Sequence, residues 1–252
     1  MLRTAGVDIA AGGKTLCSGL DFSVGAGELW AVLGCNGSGK TTLLHALAGL
    51  MQPAAGSVEY EARSLAAYAR RELARGIGVL LQREEQEYWG TLADYVMLGR
   101  YPHAQSPFGG DIASTAAVAH ALAAFDLESH AAQSYATLSG GERQRARLAQ
   151  LWAQDARLLL LDEPLQHLDL RHQLQAMRLI RAVTAGGGAA VVVLHDLTFA
   201  AHCDRVLMLY GDGRHAQGAA AGMLTPSRLE ALYGCRLALC GNGSGAHVMP
   251  VI

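Results

Sequence analysis

Apolar residues fall along this chain in short continuous runs, separated by longer stretches of helical spacing. Residues 29–33 form one such run, residues 77–81 a second, 158–161 a third and 189–194 a fourth; each is strand-sized, and unbroken apolar character predicts a strand buried on both faces. Helical spacing over residues 41–50 follows the first run, until Pro53 stops it, and over 170–184 it joins the third run to the fourth before the glycines at 186–188. Strand, helix, strand in this order predicts an α/β core with a parallel sheet. Residues 1–30 differ: short apolar stretches alternate with glycine turns at 12–13 and 25–27, which predicts an antiparallel β-layer. Residues 57–60 read as a return strand, 64–75 as an amphipathic helix and 206–210 as a further strand, while Pro226 opens a short helix and the glycines of 241–245 divide the last residues into a hairpin. Between residues 91 and 153 the chain is alanine-rich with helical spacing, including 112–125 behind Asp111 as a cap, so a helical lobe of about 91–154 is expected within a core of 1–90 and 155–252, one domain in all.

Composition narrows the function. Twenty Lys and Arg against twenty-two Asp and Glu give a net charge of -2, the wrong footprint for a nucleic-acid partner. The first residues carry no apolar core followed by a cleavage site, which predicts a chain that stays in the cytoplasm. No apolar run approaches the roughly 20 residues of a membrane helix, so work at a membrane needs another protein to span it. The five cysteines, Cys17, Cys35, Cys203, Cys235 and Cys240, show no metal-binding spacing and read as free thiols.

Three segments carry chemistry. Gly34-Cys35-Asn36-Gly37-Ser38-Gly39-Lys40-Thr41, with Thr42 behind it, fits the phosphate loop G-x-x-x-x-G-K-[ST] and stands between a strand and a helix, as that motif requires. Its glycines let backbone N–H groups curl around phosphate oxygens, Lys40 adds a point charge, and the Thr41 hydroxyl can ligate Mg²⁺. Asp162 and Glu163 end the run 158–161, where a parallel sheet delivers side chains to its ligand; Asp162 suits Mg²⁺ and Glu163 suits accepting a proton from the water that attacks a γ-phosphate. Ser139 and Glu142 have capping-box spacing, so a helix is expected to begin there with an anion site at its N-terminus.

Leu138-Ser139-Gly140-Gly141-Glu142 resembles the signature of the ATP-binding-cassette (ABC) ATPases, and the resemblance extends over essentially the whole chain. It implies the P-loop NTPase fold of that family, ATP and Mg²⁺ as ligands, and a dimer of two copies in which Ser139, Gly140, Gly141 and Glu142 meet the γ-phosphate held by the other subunit. It also implies a metal and catalytic role for Gln82 at its strand end, a nucleotide-facing role for Asp169, and a γ-phosphate contact for His195. One family feature is missing: near Ala10 and Ala11 no aromatic stands to stack on adenine.

Within the family, residues 98–103, 168–173 and 224–226 leading to Tyr233 and Gly234 look like importers of metal chelates, the group that carries vitamin B12, ferric siderophores and haem. The missing aromatic and short tail are similar to the vitamin B12 type. The resemblance implies transmembrane permease subunits as partners, a periplasmic or surface substrate-binding protein beyond them, and a peripheral position on the cytoplasmic face of the membrane. Residues 83–102, with Glu84, Glu85, Glu87, Tyr88 and Trp89, are expected to dock the permease; Trp89 reads either as an exposed anchor or as a packed side chain on an acidic loop. A soluble ABC ATPase that moves no solute, such as the iron–sulfur assembly type, is the alternative.

Overall fold

The computed structural model describes residues 1–82, 88–104, 112–240 and 247–250, with the backbone alone described from 237 onward. Asp111, Glu84, Glu85, Glu87 and the glycines of 241–245 therefore lie outside the described residues. In chain order the elements are β1 (Leu2–Ala11), β2 (Lys14–Leu20), β3 (Ser23–Val24), β4 (Leu29–Leu33), α1 (Lys40–Leu47), β5 (Ala55–Tyr60), β6 (Arg63–Ser64), α2 (Arg70–Gly76) and β7 (Ile77–Leu80). They continue through α3 (Leu92–Met97), α4 (Ile112–Ala124), α5 (Gly140–Gln154), β8 (Leu158–Asp162), α6 (Leu170–Ala185), β9 (Ala189–Val193), α7 (Leu197–Ala200), β10 (Arg205–Leu209), β11 (His215–Ala219), α8 (Ala220–Met223), α9 (Pro226–Tyr233), β12 (Leu237–Cys240) and β13 (His247–Pro250).

Two compact units share these elements, one of residues 1–67 and 189–252, the other of residues 68–188. In the first unit β1 is the centre of an antiparallel layer, flanked by β2 and β5 and touched by β3. Beside it β4 runs parallel to β9 on one edge and to β10 on the other, and β11 closes β10 as an antiparallel edge. Every residue of β4 and β9 is buried, which is what their unbroken apolar sequence requires. In the second unit β7 and β8 are parallel, paired from Ile77 with Leu158 to Leu80 with Leu161, and α3, α4 and α5 pack on one another as the expected helical group.

Two local expectations change. The helix predicted over 64–75 is interrupted: Arg63–Ser64 pairs with β5, residues 65–67 make a 3₁₀ turn, and the α-helix begins only at Arg70. Strand pairing competes with helical spacing at its start, and Arg63 also donates to the Ala67 carbonyl. The antiparallel edge strand β11, with its sequence His-Ala-Gln-Gly-Ala, has no apolar alternation to announce it; its register with β10, from Arg205 with Ala219 to Leu209 with His215, supplies its place instead. Among the described residues no helix is long and apolar enough to cross a membrane.

Candidate functional site

In the first unit the phosphate loop follows β4 and ends in α1, whose first residue is Lys40. The Lys40 ammonium is buried and donates to the carbonyls of Gly34 at 2.8 Å and Cys35 at 3.0 Å, so the side chain doubles back along the loop. Gly34 is obligatory for lack of space: a Cβ there meets the Ser38 Oγ at 2.4 Å and the Leu209 carbonyl at 2.5 Å. Gly39 caps α1 with φ 99°, a left-handed conformation that side chains other than glycine rarely adopt. Asn36 and Gly37 are exposed at the loop's crest, Ser38 is buried beneath it, and Thr41 and Thr42 are half-buried at the helix start.

Strand pairing brings a second predicted residue to the same sheet end. β9 is parallel to β4, and the Leu194 N–H donates to the Val32 carbonyl at 3.2 Å, so His195 leaves the sheet at the edge where the phosphate loop begins. It is exposed, and Asp196 behind it caps α7 by accepting from the Thr198 N–H at 2.7 Å. Ala10 and Ala11, half-buried and exposed at the end of β1, offer only methyl groups.

Helix α9 lies against the loop as well. The Cys35 thiol donates to the Leu232 carbonyl at 3.3 Å, and the neighbouring Tyr233 phenol is pushed up to about 12, first by burial and then by the Cys35 and Cys235 thiols. Among the described residues, Cys17, Cys35, Cys203 and Cys235 form no disulfide.

In the second unit, β7 and β8 end side by side, which carries Gln82 and the Asp162–Glu163 pair to one end of the sheet. Asp162 is only 2% exposed. Glu163 is buried with φ 52°, a left-handed conformation that costs a non-glycine residue about 1–2 kcal/mol and that gathers at functional sites. A cavity of about 210 Å³ is lined by Gln82, Gly140 and Glu163, together with Arg143, Gln144, Arg147 and others. The last three were not singled out in the sequence; only the i, i+3 spacing of Gln144 and Arg147 on one helix face could have drawn notice.

Helix α5 begins as its capping box requires. The Ser139 Oγ accepts from the Glu142 N–H at 3.3 Å, and Glu142 Oε2 accepts from the Ser139 N–H at 2.7 Å. The bond from the Ser139 N–H, and then that of its side chain, lowers the Glu142 carboxyl below its ordinary range. Ser139 and Gly140 are exposed, which leaves the helix N-terminus open to an anion. Asp169 caps α6 through the His172 N–H at 2.9 Å, and that bond chiefly lowers its carboxyl. In the first unit Thr41 offers a hydroxyl oxygen, and in the second Asp162 and Gln82 offer carboxylate and amide oxygens, hard donors of the kind that suit Mg²⁺.

A family model described as ABC transporter matches residues 17–166. Relatives along the full chain include the hemin import ATP-binding protein HmuV of Rhizobium meliloti, 36% identical over 100% of this chain and 97% of its own length. HmuV of Pseudomonas fluorescens is 39% identical over 98% of both chains. The cobalamin import ATP-binding protein BtuD of Halobacterium salinarum is 37% identical over 94% of this chain and 60% of that protein. Among solved structures, a chain of an inward-facing ABC transporter described as metal-chelate type superposes with a TM-score of 0.84 at 25% identity, covering 100% of this chain and 97% of the other. With the phosphate loop, the paired carboxylates and the capped signature helix already in place, these matches establish that the chain belongs to the ABC transporter family as an ATP-binding subunit, an ATPase.

Proposed function

We propose that this ATPase drives import of a macrocyclic metal chelate, haem or cobalamin, as a pair of identical subunits on the cytoplasmic face of a membrane permease that receives its cargo from a substrate-binding protein. The observation that carries the substrate class is the full-length likeness to hemin import subunits, with cobalamin import subunits beside them. Those names weigh against a soluble assembly ATPase. The chain is taken as one ABC ATPase domain, with residues 1–90 and 155–252 as its core and about 91–154 as its helical lobe.

The residues divide the work by chemistry. Backbone N–H groups from Gly34 to Thr42, together with Lys40, neutralise the β- and γ-phosphates, an arrangement that favours the charge developing in phosphoryl transfer. Glu163 accepts the proton of the attacking water, and His195 donates to the γ-phosphate. Thr41, Asp162 and Gln82 would hold Mg²⁺, which would neutralise phosphate charge when bound. Ser139, Gly140, Gly141 and Glu142 present an open helix N-terminus to the nucleotide of the partner copy, and Asp169 serves the same junction.

Removing the gene from its source cell and measuring uptake of haem and of cobalamin tests the cargo. Loss of one uptake that returns with the native gene, but not with a Lys40→Ala copy, is expected. Undiminished uptake of both refutes the proposal.

A further inference from the structure

We infer that Gln144 and Arg147 of the signature helix are positioning residues that hold the segments bearing Glu163 and Gln82 in one hydrogen-bonded chain. Gln144 is buried, and its Nε2 donates at 2.9 Å to the carbonyl of Pro164, the residue that follows Glu163. Its Oε1 accepts from Arg147 Nη1 at 2.9 Å, and Arg147 Nη2 donates to the carbonyl of Leu81, the residue that precedes Gln82. The path therefore runs from the Leu81 carbonyl through Arg147 and Gln144 to the Pro164 carbonyl. Both side chains come from α5, five and eight residues past the Ser139 cap.

Each link answers a local need. Leu81 lies one residue beyond the last register pair of β7 with β8, Leu80 with Leu161, so its carbonyl extends past the ladder and takes a side-chain donor instead. Glu163 holds a left-handed φ of 52° that persists only where neighbours fix it, and the bond to the Pro164 carbonyl restrains the chain one peptide beyond it. Arg147 suits the junction because its planar fork aims two N–H groups at two fixed acceptors. A helix-to-strand staple alone does not explain the arrangement. Gln154, at the far end of α5, already ties the helix to the last turn of α2 through the Ala74 carbonyl at 2.6 Å and to the start of β7 through the Ile77 carbonyl at 3.1 Å. The Gln144–Arg147 chain adds contacts at the two points that flank functional side chains. Because α5 is stiff over its 15 residues, any displacement of the signature end is passed to both flanking carbonyls together.

The inference rests on Glu163 acting as the base, so the experiment carries Glu163→Gln as its reference. Arg147→Met and Gln144→Met keep the apolar stems and remove the polar ends; they are made singly and together, and Arg147→Lys restores one donor. Steady-state MgATP hydrolysis by the purified full chain is measured with the melting temperature of each variant. Each single change is expected to lower kcat by about 10-fold with KM for ATP altered less than about twofold, the scale of losing an outer-shell contact. The double variant should fall no further than either single one, and Arg147→Lys should recover part of the rate. Multiplicative losses, a rise in KM that carries the effect, or rates that merely track a lowered melting temperature overturn the inference. Full activity of both single variants beside an inactive Glu163→Gln overturns it while sparing the role of Glu163. An active Glu163→Gln removes the base and the inference with it.

Discussion

Glu163 joins two properties that substitution can separate: a carboxylate placed for proton transfer and a backbone in the left-handed region at φ 52°. Glu163→Gln keeps shape and backbone and removes only the basicity. A positioned base is worth about 10² to 10⁴ in rate, or roughly 3–5 kcal/mol of barrier at about 1.4 kcal/mol per decade, so kcat should fall by that factor. ATP affinity and melting temperature should hardly move, since the amide has nearly the volume and shape of the carboxylate it replaces. Glu163→Gly should lose the same activity with a different stability. Release from the left-handed conformation returns about 1–2 kcal/mol, and the freer unfolded chain takes back about 0.4–1 kcal/mol. The net gain of up to roughly 1.5 kcal/mol corresponds to a melting temperature higher by as much as about 3–6 °C, reduced by whatever packing the buried side chain supplied. Single-turnover ATPase assays with calorimetry on both variants, and on Glu163→Ala as the reference for lost packing, check this. Glu163→Gln retaining more than about a tenth of the native rate refutes the assignment of the base, and Glu163→Gly no more stable than Glu163→Ala refutes the strain.

Other perturbations follow from the same geometry. Gly34→Ala places a methyl group 2.4 Å from the Ser38 Oγ and 2.5 Å from the Leu209 carbonyl, so the loop must shift; ATP affinity should drop at least about tenfold by fluorescence titration, with a stability loss of about 1–3 kcal/mol. Tyr233, raised to about 12, keeps its proton in the folded chain while the unfolded phenol loses it near pH 10, so stability should decline by on the order of 2 kcal/mol as pH rises from about 10 to 12. Tyr233→Phe should flatten that decline in urea titrations, and a decline of equal size in the variant refutes the cause. Trp89 is 82% exposed, which excludes the packed alternative, and its proposed role as a docking anchor predicts that Trp89→Ala leaves stability within about 0.5 kcal/mol yet weakens binding to the permease by more than about 1 kcal/mol in a pull-down titration; unchanged binding refutes that role.

What the sequence made legible was what lies close together in the chain. The phosphate loop occupies consecutive residues whose glycines dictate the turn, the capping box spans four, and β4, β8 and β9 declare themselves by apolar runs, unbroken in β8 until Asp162 at its end. His195 and Gln82 were placed by the resemblance, and parallel pairing puts each at the strand end where such a role is feasible. Less was visible where long-range pairing overrides local spacing. Strand β6 takes the start of a helical pattern because β5 offers it backbone partners, and β11 exists only because the edge of β10 is there to be paired.

The polar chain through Gln144 and Arg147 shows why that boundary matters for function. Nothing in the linear order of Leu81, Gln144, Arg147 and Pro164 joins them; the folded unit does, by laying one face of α5 over the ends of β7 and β8. Local motifs specify which groups can bind phosphate or move a proton, since those demands concern a few adjacent atoms. Holding such groups still is a different demand, met by side chains drawn from wherever the fold brings a donor to an unpaired carbonyl. A left-handed Glu163 next to a proline has few means of its own to stay in place, and a glutamine buried on another element supplies one. Residues of this second kind are found by following carbonyls left over beyond strand ends, and the carbonyls of Leu81 and Pro164 both lead to α5 here.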